Sequence, residues 1–417
     1  VLRYKLQPRR AACFKHRQYA RKGGIALKFN FDEVIDRRNT DSIKYDFAKK
    51  LGKPEGVLPL WVADMDFRTP PCVIEALTEK SRHGIFGYSQ TRDDYFEVLK
   101  NWFLRQFGWT IRPEWLVKTP GVVFAINVAI RALTNEGDAV LIQQPVYHPF
   151  SSSVLNNNRK LVINRLVYSQ GRYTIDFEDF EDKIVRNKVK LFILCSPHNP
   201  VGRVWTREEL TRLGELCLYH NVMVISDEIH ADFVYPGHRH FVFSDLKPEF
   251  SENTITCTAP TKTFNLAGLQ ISNIFIPNRD MRHKFKRELS RIGYGDPGIM
   301  GIVACRAAYE GGWEWLMELR EYLTDNLNYM RNFLDQKIPQ VKLVEPEGTY
   351  LAWLDFSALG LDDNALDSLI VNKAGLWLDP GPKFGAGGEG FQRINIACPR
   401  STLEKALAQL EQAVRSV

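Results

Sequence analysis

From Val117 onward the chain alternates short β-branched runs with helix-like stretches, and that alternation leaves few folds open. Strands that each return after a helix pair in parallel, and the connecting helices cover both faces of one sheet. The strand candidates are "DAVLIQ", "RKLVINRL", "VKLFILC", "NVMVISD", "NTITCTA" and "ISNIFI". Segments between them, such as "TREELTRLGELCLYH", repeat apolar residues at three- and four-residue steps, as a helix with one buried face does. Beyond the long amphipathic stretch "GGWEWLMELREYLTDNLNYMRNFLDQK" the pattern changes to "VKLVEPEGTYLAWLDF" and a closing helix, "STLEKALAQLEQAVRSV". The expected fold class is therefore α/β: a large domain with a mostly parallel central sheet and helices on both faces, plus a smaller α+β domain. The expected divisions are a basic extension over 1–28, an arm and part of the small domain over 29–75, the large domain over 76–315, and the C-terminal small domain over 316–417.

A length of 417 residues suits two domains, and no apolar run reaches the roughly 18–20 residues that a membrane span needs. The seven cysteines (13, 72, 195, 217, 257, 305 and 398) show no C-x-x-C pairing, so neither a metal site nor a disulfide framework is indicated, and a cytoplasmic location is expected. Nine basic residues and no acid lie between Val1 and Lys28; removing those nine charges from the formal +6 leaves −3 for the rest. A basic arm of this kind suits nucleic acid, anionic lipid or a transit peptide. A simpler origin is preferred. "RKGG" can be encoded by a purine run like a bacterial ribosome-binding site, with Leu27 just beyond it as a start, so residues 1–26 are read as translated leader, disordered or foreign to the natural protein. Mass spectrometry finding a natural product that starts near Val1 would overturn this. Neither a nucleic-acid nor a membrane partner is expected.

Three strand ends carry chemistry. "TITCTAPTKTFNLAGLQ" stops a strand with Pro260 and places Lys262 at a strand-to-helix turn; "LFILCSPHNPVG" delivers Asn199 in a Pro-bracketed turn; "VMVISDEIHADFVY" ends an apolar run with Asp227. Singly these are a solvated lysine, a turn former and a helix cap. Together they place an amine, an amide and an acid at the carboxyl ends of neighbouring strands, where open α/β sheets keep their ligand sites. "TPGVVFAINVAIRALTNEG" supplies a helix start at Gly121, with Asn127, Arg131 and Thr134 expected on its outer face.

The motifs "SPHNPVG", "SDEIH" and "APTKTFNLAGLQ", whose key residues lie 28 and 35 positions apart, resemble those of the fold-type I pyridoxal-phosphate enzymes of the class I/II aminotransferase superfamily, over residue 29 onward. "LPLWVADMDF", "GIFGYS" and "DEIHADF" resemble more closely the MalY/PatB branch of cystathionine β-lyases. The resemblance implies a PLP-transferase-like fold whose large domain binds pyridoxal 5'-phosphate. Lys262 would form the internal Schiff base and, once displaced by an amino-acid substrate, serve as base for the α-proton. Asp227 would pair with the pyridine nitrogen, Asn199 would bond the phenolic oxygen, and Tyr147 would stack on the ring unless it is a core aromatic. The amides of Val122 and Val123, approached over Gly121, would hold the phosphate at the helix start. Arg393 in "FQRINIACP" would bind the α-carboxylate, with Arg400 as the weaker candidate. Tyr88 would reach the phosphate from a second subunit, which makes a homodimer with shared sites. Tyr88, counted with Lys262, Asp227 and Asn199 as catalytic, also completes the substrate-binding set with Trp61, and the segment holding Trp61, Met65 and Phe67 suits an arm laid over a neighbouring subunit.

Three positions depart from the commoner aminotransferase pattern. Ala259 replaces a serine and Gln270 an arginine, both phosphate ligands, and His230 replaces a tyrosine that follows the ring-pairing aspartate. His230 is counted with the cofactor-binding residues, against the alternative of a packed histidine. These departures agree with the C–S lyase branch. The leading expectation is β-elimination from an S-substituted L-cysteine such as L-cystathionine, giving a thiol (homocysteine), pyruvate and ammonia. A class I/II aminotransferase is the second reading, and a regulatory cofactor-binding module the third.

Overall fold

All six strand candidates form strands, and a seventh, Leu116–Thr119, joins them at one edge. Across the sheet the order is Leu116–Thr119, Ser272–Phe275, Thr254–Thr258, Met223–Asp227, Leu191–Cys195, Ala139–Gln144 and Lys160–Arg165. Only Ser272–Phe275 runs antiparallel to its neighbours; the remaining pairings are parallel. The structure is a computed structural model that describes residues 28–417. Apart from Lys28, whose Nζ pairs with Glu314 at 2.6 Å, the reading of the basic extension lies outside the described residues.

Each residue of Leu191–Cys195 and of Ala139–Gln144 is buried, which is why these segments read as continuous apolar runs rather than alternating ones. The edge strand "LVKT" has half-buried residues at every second position, and Lys118 interrupts an already short run, so its strand character is weak in the sequence. The helix Arg207–Tyr219 begins with a capping box between Thr206 and Glu209. The helix Val122–Leu133 buries Val122, Ala125, Ile126, Val128, Ala129 and Ile130 against the sheet. Thr134 is a correction: it is buried rather than outward, accepting a hydrogen bond from Arg159 Nε at 2.9 Å. Arg131 is exposed and pairs with Glu288 at 2.6 Å, while Asn127 is half-buried and donates to Ser153 Oγ.

A second sheet, wholly antiparallel, is ordered Lys342–Val344, Leu351–Asp355, Phe391–Asn395 and Asp379–Pro380. The helices Trp313–Lys337 and Arg400–Val414 contribute to the core on which it rests. The arm is a second correction. Met65 and Phe67 are buried in this chain's own core rather than offered to a neighbour: Phe67 meets Phe31 and Tyr322 edge-on, at 5.2 and 5.5 Å between ring centres. Leu58–Pro59 pairs in parallel with Leu376–Trp377. The arm thus ties the second sheet to the ends of the first, and this connection builds the site.

Candidate active site

Cys195, Asp227 and Cys257 sit side by side in the parallel register, so the turns that follow their three strands open on one edge of the sheet. After Cys195 the chain turns through His198, which bridges to Arg203, and presents Asn199, only 3% exposed. His198 Nε2 lies 2.9 Å from the Pro145 carbonyl, and burial pushes its pKa down to about 4, so the ring is neutral. Asp227 is buried; its Oδ1 accepts from Ile229 N at 3.2 Å, and no other hydrogen bond to its carboxylate is present among the described residues. Burial, only partly offset by the Ile229 amide and the nearby Lys262 charge, pushes this acid up to about 7.

Lys262 sits in the four-residue helix Pro260–Thr263, half-buried, with Nζ donating to the Ala63 carbonyl at 2.7 Å. Burial lowers its pKa to about 8; Asp64 and Asp227 oppose that shift and Arg393 adds to it. The carbonyl it meets is rigidly held. Tyr350 OH donates to the same Ala63 oxygen at 3.0 Å, and Asn395 Nδ2 donates to the Val62 and Asp64 carbonyls at 2.7 and 2.6 Å. Beneath it Arg37 pairs with Asp64 and Asp66, each at 2.7 Å, and the fully buried Lys44 meets Asp66 at 2.9 Å. A lysine with no exposure is tolerated only with such partners. Sequence reasoning missed this cluster; the one available signal was two aspartates inside the apolar "LPLWVADMDF".

Arg393 is 4% exposed on the strand Phe391–Asn395. Its Nη1 donates to Asn199 Oδ1 at 2.9 Å and its Nη2 to the Trp61 carbonyl at 2.8 Å. Nη2 also forms an ion pair with Asp379, which stands directly across the strand ladder, and Nε has no partner among the described residues. Because Asn199 spends its oxygen on Arg393, its amide nitrogen remains as a donor. Arg400 lies elsewhere: its Nε bonds Asn326 Oδ1 at 2.9 Å and its guanidinium covers Tyr329 at 4.7 Å.

Tyr147 is joined to the Asn199 turn by its backbone N–H, 3.0 Å from the Asn199 carbonyl; burial, then Asp227, raise its phenol. His230 is buried edge-on to Tyr350, its Nδ1 without a partner among the described residues. Burial holds its pKa well below the usual range, and Lys262 and Arg393 press the same way, so it is neutral. Trp61 stacks on Trp377 at 4.4 Å. Gly121 caps the helix Val122–Leu133 in an extended conformation that any residue adopts, so its value is space: a Cβ there would meet no protein atom within 4 Å. The first-turn amides of Val122 and Val123 have no intrahelical acceptor. Tyr88 is not drawn into this chain's cluster. Its side chain is fully exposed, beside a cavity of about 640 Å³ that Phe86, Pro120, Gln270 and Tyr294 also line.

The arrangement fits pyridoxal phosphate. A buried acid forms no ion pair among the described residues, an amine stands on the adjoining turn, an amide donor is free, and a helix start faces open space. Residues 55–410 match the family described as aminotransferase class I and II. The chain is 46% identical over 385 residues to cystathionine beta-lyase PatB of Bacillus subtilis, covering 92% of this chain and 100% of that one. It is 35% identical over 391 residues to protein MalY of Escherichia coli, covering 93% and 100%. Cystalysin from Treponema denticola, a crystal structure that contains a pyridoxal 5'-phosphate cofactor, matches with a TM-score of 0.90 at 37% identity, covering 93% and 99%.

Proposed function

The chain belongs to the class I and II aminotransferase family, in the branch of the PatB and MalY proteins, and from that membership we propose that it is a pyridoxal-phosphate-dependent C–S β-lyase. It cleaves S-substituted L-cysteines such as L-cystathionine to a thiol (homocysteine), pyruvate and ammonia. The observation that carries the reading is the meeting of Lys262, Asp227, Asn199 and Arg393 in a chain that matches a cystathionine beta-lyase over that protein's whole length.

Lys262 would hold the cofactor covalently, Asp227 would pair with the pyridine nitrogen, Asn199 would donate to the phenolic oxygen, Tyr147 would stack on the ring, and Gly121, Val122 and Val123 would receive the phosphate. His230, neutral and with an unused ring nitrogen, would count among the residues that hold the same group. When bound, the cofactor supplies an electron sink that acidifies the substrate Cα–H and lets the β-thiolate depart. Arg393 orients the α-carboxylate so that Cα–H points at Lys262. The Lys262 amine takes that proton; burial keeps it largely unprotonated above about pH 8, and the fixed Ala63 carbonyl aims it. The reducing cytoplasm suits six described cysteines that are all unpaired.

The test is direct. Purified holoenzyme given L-cystathionine and no keto acid is expected to release pyruvate and free thiol over many turnovers. Conversion only with an added keto acid would make it an aminotransferase, and neither result would leave a binding module.

The working unit is proposed to be a homodimer in which each Tyr88 serves the partner's phosphate site. The full exposure of Tyr88, together with exposed Ile85 and Phe86 on the same segment, supports this. Mixing inactive Lys262→Ala with inactive Tyr88→Ala subunits under exchange conditions is expected to restore about a quarter of wild-type activity, since half the dimers carry one intact site of two. A mixture as inactive as its parts would place Tyr88 in its own chain's site.

A further inference from the structure

Arg393 offers five N–H bonds, and the folded chain already uses three. Both on Nη2 are taken, by Asp379 and by the Trp61 carbonyl; one on Nη1 goes to Asn199. The two that remain, on Nε and Nη1, lie on different edges of the guanidinium plane and cannot grip one carboxylate between them. A bidentate grip on either edge needs Nη2. Asp379 is 3% exposed and sits opposite Arg393 in the strand ladder, so it is built into the position. Its second oxygen is not idle: Oδ1 accepts from Lys383 Nζ at 2.7 Å. Lys383 is half-exposed at the mouth of the site, 5.3 Å above the Trp61 ring. Two cations thus share one carboxylate, in the order Arg393, Asp379, Lys383.

We propose that Asp379 is a carboxylate latch: it occupies Arg393 until the α-carboxylate of an amino-acid substrate takes its place, and Lys383 then holds the displaced Asp379. The proposal rests on the reading of Arg393 as the α-carboxylate site. Asp379 neutralises a buried guanidinium that would otherwise stand uncompensated before substrate arrives. Its cost is apparent affinity, because only the fraction of molecules with Nη2 free accepts the ligand bidentately. Lys383 lowers that cost by giving Asp379 a second partner that needs no new contact. The latch acts only on ligands that carry a carboxylate, and it sets KM rather than the rate of the chemical step.

The experiment measures binding to the holoenzyme by calorimetry with two probes. One is an S-alkyl-α-methylcysteine, which has the carboxylate but no Cα–H to lose. The other is the matching S-alkylcysteamine, which lacks the carboxylate. Asp379→Asn is expected to tighten the first probe about three- to tenfold, and Lys383→Met to weaken it by a similar factor. The cysteamine should change less than about twofold in either variant. In the double variant the Lys383→Met effect should vanish, because the group it steadies is gone. Steady-state assays of Lys383→Met should show a raised KM at unchanged kcat. An unchanged or weakened first probe in Asp379→Asn overturns the latch, and so does a Lys383→Met effect that persists in the Asp379→Asn background, which would mean that Lys383 touches the ligand itself. Lys383→Met still tests the proposal should Asp379→Asn misfold: no change, or equal changes for both probes, overturns it. Arg393→Ala separates the two layers. If it leaves the affinity ratio of the two probes unchanged, the α-carboxylate reading of Arg393 fails; if it abolishes the ratio while Asp379→Asn does not tighten binding, the latch alone fails.

Discussion

Replacing Lys262 with alanine is expected to lower turnover by roughly 10⁴-fold or more, because in the proposed mechanism one substitution removes both the covalent anchor of the cofactor and the base for the α-proton. The protein should still fold. Lys262 contributes a single side-chain hydrogen bond, to Ala63, and the Ala63 carbonyl keeps its bond from Tyr350. The variant should therefore take up cofactor without the covalent link, so that borohydride no longer fixes it to the chain. In the wild type, borohydride should bleach the yellow chromophore and leave the label on Lys262; a label on another lysine would overturn the assignment. The pH dependence follows from the direction of the lysine's shift. Burial lowers the amine from its ordinary range to about 8, so the neutral, basic form predominates above about pH 8 instead of only above the usual lysine range. The wild-type kcat should rise with pH through a limb near that value, reporting the enzyme with substrate bound.

The residues legible in the sequence are those whose meaning is local. Asn199, Asp227 and Lys262 each lie at or just past the end of a β-rich run that folds as a buried strand, and a polar group there is placed by the strand itself. Other features depend on contacts between segments far apart in the chain. Asp379 opens the two-residue strand Asp379–Pro380, which shows no pattern, and only its register opposite Arg393 brings it to that guanidinium. Lys44 reads as a surface lysine until Asp64 and Asp66 are folded over it. The arm misled for a related reason: Met65 and Phe67 in an extended, proline-ended stretch look like an intersubunit strap, yet Phe31, Trp315 and Tyr322 of the same chain already enclose that side. Thr134 falls on the polar face by helical spacing, but the helix ends at Leu133, and Arg159, just before the strand Lys160–Arg165, covers it.

Asp227→Asn is expected to separate electronics from binding. The change keeps shape and volume, and the one described hydrogen bond to this side chain, from Ile229 N, needs only an oxygen acceptor. What it removes is the negative charge. In the wild type burial outweighs the nearby Lys262 charge and holds the acid near 7, so its carboxylate form favours a closer positive partner set against it. A protonated pyridine nitrogen is such a partner, and the linkage is reciprocal: the ring proton stabilises the carboxylate, lowering its pKa, and the carboxylate stabilises the ring proton. Asparagine offers no charge, so a ring nitrogen paired with it would lose its proton at neutral pH and would withdraw electrons less strongly from the substrate Cα. The rate should fall by about 10³-fold, in the range that loss of one preorganised electrostatic contact produces, while cofactor affinity, still supported by the phosphate site and the Lys262 linkage, should weaken less than about tenfold. The measurement is a pair: single-turnover pyruvate release, and cofactor retention on dialysis. Because the ring proton is what is lost, the variant's chromophore should also respond to pH near neutrality where the wild type's does not. Equal and modest losses in rate and retention, with no new spectral titration, would assign Asp227 to the architecture of the strand end and not to the chemistry.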